Sequence, residues 1–115
     1  MAALTIAQRR ALQLEKFNDE YIHDIEKARK ILNSYYRYHA LYTRVLVMDN
    51  DSNYYGSRYH QEQSKKEEKW RNRLTEMLKP YGISIYVSWS MPFLGIVNPE
   101  NGCIEKEVIN PILYN

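Results

Sequence analysis

"KPYGISIYVSW", residues 79–89, is the point at which the hydrophobic period of this chain changes. Before it, apolar side chains recur at spacings of three and four, the repeat of a helix face. After it, Ile83, Ile85, Val87 and Trp89 alternate with Ser84, Tyr86 and Ser88, the period of a half-buried strand. Pro80 and Gly82 separate the two regimes. Proline has no N–H to give to a helical turn, and glycine accepts the left-handed conformation that ends one. The stretch therefore predicts helices on its N-terminal side and a sheet on its C-terminal side.

Downstream, "MPFLGIV" (91–97) is a second apolar run and "NPENG" (98–102) a strong turn signal. "CIEKEVI" (103–109) is a third strand with charges at Glu105 and Glu107, ended by Pro111. Turns between successive apolar runs predict an antiparallel meander of three strands over 83–109. The free edge of such a sheet would suit a partner strand, and the tail "NPILYN" is expected to pack on its own sheet.

Upstream, a helix is predicted over 57–79, with Trp70, Leu74, Met77 and Tyr81 on one face. Its first half, "HQEQSKKEEK" (60–69), has no apolar residue and reads as a solvated stretch, with Glu62–Lys66 and Glu67–Arg71 in the favourable i,i+4 order. "DNDSNYYGS" (49–57) is a cluster of turn formers. Before it, Thr5 and Gln8 form a capping box, and neither proline nor glycine interrupts the chain as far as Met48. Leu14, Tyr21, Ala28, Tyr35 and Tyr42 recur every seven residues. Ile25, Leu32, His39 and Leu46 interleave with them, and Phe17, Ile31, Tyr38 and Val45 widen the stripe into a packing seam. One helix over 5–48 would be about 65 Å long, so a kink is expected, with Asn33-Ser34 the weakest point by propensity. The reading is α+β and a single domain over 1–115. It has a long, kinked N-terminal helix and a second helix as an antiparallel hairpin, followed by the C-terminal meander.

Composition excludes more chemistry than it suggests. Cys103 is the single cysteine, so no disulfide within the chain is expected. "MAALTIAQRR" lacks the charged-then-apolar order of a secretory signal, no run reaches membrane-span length, and the expected location is cytoplasmic. Asp49, Asp51 and Asn53 match the first three ligand positions of an EF-hand loop. Tyr54 then stands where glycine is required and His60 where a bidentate glutamate is required. His39 lies on the apolar seam, while His23 and His60 are expected to face solvent. No H-x-x-x-H, G-x-S-x-G or glycine-rich phosphate loop is present, and the four glycines are isolated. Neither metal, cofactor nor catalysis is expected.

The net charge is +2, yet it is unevenly spread: +3 over residues 1–48, +1 over 49–79 and −2 over 80–115. On the first helix Lys30, Arg37 and Arg44 recur every seven residues beside Arg29 and Tyr36, away from the seam. The loop adds Tyr54, Tyr55, Arg58 and Tyr59. Arginine with tyrosine suits phosphate and base stacking, and equally a carboxylate-rich protein surface. The first expectation is a non-enzymatic protein that binds a protein partner through these residues. In size and composition the chain is similar in style to small phage and mobile-element proteins that act as inhibitors or adaptors of a host nucleic-acid-handling or defence machine. The alternatives are a nucleic-acid binder using the same face, and a structural protein whose seam pairs with a second copy as a homodimer.

Overall fold

The computed structural model of this chain describes residues 3–110. The chain is α+β, with helices first and a C-terminal antiparallel sheet of three strands, β1 (Ile83–Ser88), β2 (Met91–Val97) and β3 (Ile104–Ile109), in the order β1-β2-β3. The helices are α1 (Ile6–Phe17), α2 (Ile25–Asp49) and α3 (Arg58–Leu78). The tail from residue 111 onward, expected to pack on the sheet, lies outside the described residues.

α1 opens on the capping box. Gln8 N–H donates to Thr5 Oγ1 at 3.1 Å, and Thr5 N–H donates to Gln8 Oε1 at 2.9 Å. The helix does not continue to Met48. It widens into a π turn over Asn18–Ile22, His23 takes a left-handed φ of 60°, and Asp24 starts α2. Three hydrogen bonds hold this corner. Asp24 N–H donates to Asn18 Oδ1 at 2.7 Å, His23 N–H to the Asn18 carbonyl at 2.8 Å, and Lys27 N–H to Asp24 Oδ1 at 3.3 Å. Phe17 and Ile22 are buried on either side of it. The kink expected at Asn33-Ser34 is absent, and both residues lie inside α2. Their propensity penalty is a fraction of a kcal/mol, on the order of 0.5 each, which the burial of Leu32 and Tyr35 beside them outweighs. Ile25, assigned to the seam, is instead the first residue of α2 and is exposed.

α2 packs on α3 as an antiparallel pair. Arg44 meets Gln63 and Arg37 meets Trp70, so seven residues forward on one helix is seven residues back on the other. Ser57 caps α3 by accepting from His60 N–H at 3.1 Å, and a 3-10 turn over Lys79–Tyr81 leads to Gly82 at φ 67°. The first half of α3 is not wholly solvated. His60 and Gln63 are buried against α2.

The other face of α2 carries Ala28, Ile31, Leu32, Tyr35 and Tyr38 into a core shared with Leu74 and Leu78 of α3 and Ile83, Leu94 and Ile109 of the sheet. Each fully buried leucine or isoleucine there stabilises the fold by ~1.5–3 kcal/mol. Tyr35 ties helix to sheet, its hydroxyl donating to the Pro92 carbonyl at 2.8 Å. β1 and β2 pair from Ile83↔Ile96 to Ser88↔Met91, which leaves Trp89 and Ser90 as a two-residue turn at φ 55° and 59°. Trp89, expected on the buried row of β1, is therefore 84% exposed at the hairpin tip. β3 begins at Ile104, one residue later than the sequence suggests. No helix among the described residues is long and apolar enough to cross a membrane.

Candidate docking groove

The turn at 18–24 folds α1 back along α2. The Tyr36 hydroxyl donates to Gln13 Oε1, and the Arg10 guanidinium lies 4.1 Å from the centre of the Tyr36 ring. α1 and α3 thus flank α2 on its sheet-free side, and the outward stripe of α2 becomes the floor of a groove. Its central part has a volume of about 790 Å³ and takes lining residues from all three helices. Hollows of about 470 and 230 Å³ share Asn33 with it and extend it along α3 and α1.

Eight cationic side chains line these three connected hollows. α1 supplies Arg10, α2 supplies Arg29, Lys30, Arg37 and Arg44, and α3 supplies Lys66, Lys69 and Arg73. That is half of the 16 lysines and arginines in the chain, and no acidic side chain lines any of the three. Among the ion pairs of the described residues, only Arg29–Glu26, at 2.6 Å, involves one of the eight. The other pairs tie Arg58 to Glu62 and Arg71 to Glu67, outside the groove, and His60 to Asp49.

Aromatic rings hold several of the guanidinium groups in place. Arg37 and Arg73 sit 4.6 and 5.0 Å from the centre of the Trp70 ring. Such contacts contribute ~0.5–1 kcal/mol each at exposed sites. Tyr36, expected to offer a free ring, is half-buried, covered by Arg10 and tied to Gln13. Burial pushes its hydroxyl up to about 12, although Arg10 pulls the other way. The groove therefore presents guanidinium and ammonium donors rather than open aromatic faces. The His39 ring lies 6.0 Å from that of Tyr35, tilted by 55°, with its Nε2 buried and without a hydrogen-bond partner among the described residues. Burial, and then the charge of Arg10, holds this imidazole below its ordinary value.

A fourth hollow, of about 520 Å³, adjoins the groove through Ala40 and Arg44. It is mainly apolar, lined by Val47, Met48, Tyr54 and Tyr59, with Asp51 at its rim. Val47 is 63% exposed, Tyr54 53% and Tyr59 51%. His60 builds this corner. Its Nε2 lies 2.6 Å from Asp49 Oδ1, and its Nδ1 accepts from Gly56 N–H at 3.1 Å. With Nδ1 accepting, the proton sits on Nε2 and is donated to Asp49. Both imidazole nitrogens are spent on structure, so the ring has no free lone pair to offer a ligand. It also overturns the expectation that His60 faces solvent. The acidic loop is likewise self-occupied, since Asp51 Oδ1 accepts from Asn53 N–H at 2.9 Å.

Of the residues singled out in the sequence, the fold brings Arg29, Lys30, Tyr36, Arg37 and Arg44 to the groove and Tyr54 and Tyr59 to the adjoining hollow. Arg58 pairs with Glu62 away from both, and Tyr55 packs on His60 with ring centres 5.1 Å apart. Sequence reasoning missed Arg10, because a continuous first helix would carry it far from Tyr36. It also read Lys66 and Lys69 as part of the solvated stretch 60–69 and did not single out Arg73. Their spacing of three and four was the available signal, since it puts them on one face with Trp70. No family model matches the chain, and neither a curated protein nor a solved structure matches it.

Proposed function

We propose that this is a non-enzymatic binding protein whose target is a protein carrying an acidic surface with an apolar anchor beside it. The observation that carries this reading is the continuity of two unlike surfaces. A groove lined by eight cations and no acid runs at Arg44 into an exposed hollow of Val47, Tyr54 and Tyr59. Phosphates would satisfy the first surface but have no use for the second. Bases could stack on open rings, but those in the groove are already covered by arginine. A protein offers carboxylates and an apolar side chain together, and buried anchors flanked by charge are the usual centre of such interfaces. Occluding an acidic surface of a larger assembly, as an inhibitor or adaptor does, is the role such a groove supports.

Binding by fluorescence polarisation tests this reading. Acid-rich peptides with and without a leucine or phenylalanine anchor are compared with labelled duplex and single-stranded DNA and RNA, at about 50 and about 200 mM salt. Expected is a preference for the anchored peptide, lost in Arg37→Glu/Arg44→Glu and weakened in Val47→Asp. Tight nucleic-acid binding that collapses with salt and ignores Val47→Asp would replace this reading with the nucleic-acid one.

A further inference from the structure

The groove differs from most polar clefts in being rich in donors and poor in acceptors. Lysine and arginine side chains donate only. Of the side-chain oxygens in the groove, Gln63 Oε1 already accepts from Arg44 at 2.7 Å and the Tyr36 hydroxyl is bonded to Gln13, which leaves the short side chains of Asn33 and Ser34 as the acceptors on the floor. The floor is the interior of α2 and the walls are α1 and α3, where backbone N–H and C=O groups are spent within the helices. An extended peptide laid here would bury a row of N–H groups with only Asn33 and Ser34, neighbours on one turn of α2, to accept from them, and a buried unpaired donor costs ~1–3 kcal/mol. A helix carries its own backbone bonds and brings only side chains to the contact.

We infer that the groove between α1 and α3 is a seat for one acidic amphipathic helix of the protein partner, which would lie over Asn33 and Ala40 of α2. This rests on the protein-binding reading and specifies the partner's conformation. Size agrees. A helix 10–12 Å across occupies about 500 Å³ per turn. The central volume of about 790 Å³ thus takes about one and a half turns, and the flanking hollows continue the path. Ala40 is small and exposed in the middle of the floor, so a second helix can approach closely there. Charge agrees as well, because glutamates along both flanks of such a helix would meet Arg10 on one wall and Lys66 and Lys69 on the other. A second copy of this chain is a poor occupant through the same face, since twofold pairing would set eight cations against eight.

The test uses the full chain carrying Trp89→Phe, which leaves Trp70 in the groove as its sole tryptophan. Two synthetic peptides of about four turns have identical composition, rich in glutamate and leucine. One places its leucines on a single helical face, and the other distributes them around the helix. The patterned peptide is expected to bind at least about tenfold tighter, a difference of ~1.4 kcal/mol. It should gain helical circular dichroism on binding and shift Trp70 emission. All three effects should disappear in Ala40→Phe, which fills the floor from an exposed helix position without adding a second tryptophan. Equal affinity for the two peptides, or binding without gain of helix, overturns the helix assignment while leaving the acidic-protein reading standing. Binding of neither peptide sinks both. A concentration-dependent dimer abolished by Ala40→Phe would place a second copy in the groove and likewise overturn the assignment.

Discussion

The β1–β2 hairpin turns on Trp89 and Ser90, both left-handed, at φ 55° and 59°. This is the geometry of a two-residue type I′ loop, whose usual occupants are asparagine and glycine. A side chain in that region costs ~1–2 kcal/mol, so two of them store ~2–4 kcal/mol. Replacing Trp89 by Asn and Ser90 by Gly removes most of it. Against this, glycine loosens the unfolded chain by ~0.5–1 kcal/mol. The lost indole is 84% exposed, so its remaining burial of roughly 40 Å² contributes at most ~1 kcal/mol. The net expectation is a gain of ~1 kcal/mol, or a rise of ~4 °C in Tm for a chain of this size. Urea and thermal melts of the parent, the double variant and Trp89→Ala decide it. Trp89→Ala keeps the strain and loses the little burial, so it should be neutral or slightly destabilising. A double variant less stable than the parent by 1 kcal/mol or more would falsify the account, and would mean that the indole holds the hairpin through contacts other than those seen here.

Four further outcomes are expected. Tyr35→Phe keeps the ring but strands the buried Pro92 carbonyl, which should cost ~1–2 kcal/mol in denaturant melts. Gly95→Ala should destabilise by ~1–3 kcal/mol despite alanine's stiffer chain. An added Cβ would lie 2.8 Å from both Ile104 Cγ2 and Tyr86 Cε1, and 3.1 Å from the Lys106 carbonyl oxygen. Asp49→Ala leaves the buried His60 Nε2–H without its acceptor, whereas Asp49→Asn retains an oxygen there. The first should raise amide exchange across residues 50–57 and the second much less, and equal exchange in the two would remove His60 from that role. His39 has a native pKa held below its ordinary 6.5 by burial and by Arg10, so between those two values the unfolded chain binds more protons. Stability should therefore decline as the pH falls through 6.5, and a series of melts on His39→Phe should show a flatter decline.

How far the sequence could be read depended on whether a feature was local. The change of period at Pro80-Gly82 is local, and it placed helices before and strands after with nearly correct limits. The break at 18–24 is also local in cause, yet its signal was faint. An asparagine, a histidine able to adopt a left-handed φ and an aspartate cap had to be read together, while the seven-residue stripe ran straight through them. That stripe persists because α1 and α2 each turn an apolar face to the same core, which periodicity alone cannot tell from one long helix. Trp89 was misplaced for a different reason. Alternation marks which residues share a face but not where the strand stops, and "WS" carries none of the usual turn chemistry. The groove was half legible. Heptad spacing found the cations of α2, but Arg10, Lys66, Lys69 and Arg73 join them only through packing between distant segments.

That packing explains how a chain with a net charge of only +2 can present a strongly cationic surface. Acids that would neutralise the groove are tied elsewhere, with Glu67 turned toward Arg71 and Glu62 toward Arg58. Crowding eight cations opposes folding, and the rings beneath them offset part of that cost. Trp70 holds two guanidinium groups and Tyr36 a third. The same contacts restrict side chains that would otherwise lose rotamer freedom on binding, at ~0.5–1.5 kcal/mol each. The rings in the groove are thus better understood as supports for the charges than as recognition surfaces. In the function proposed above, the spacing of fixed cations along α2 and α3, together with the apolar hollow at one end, would select the partner.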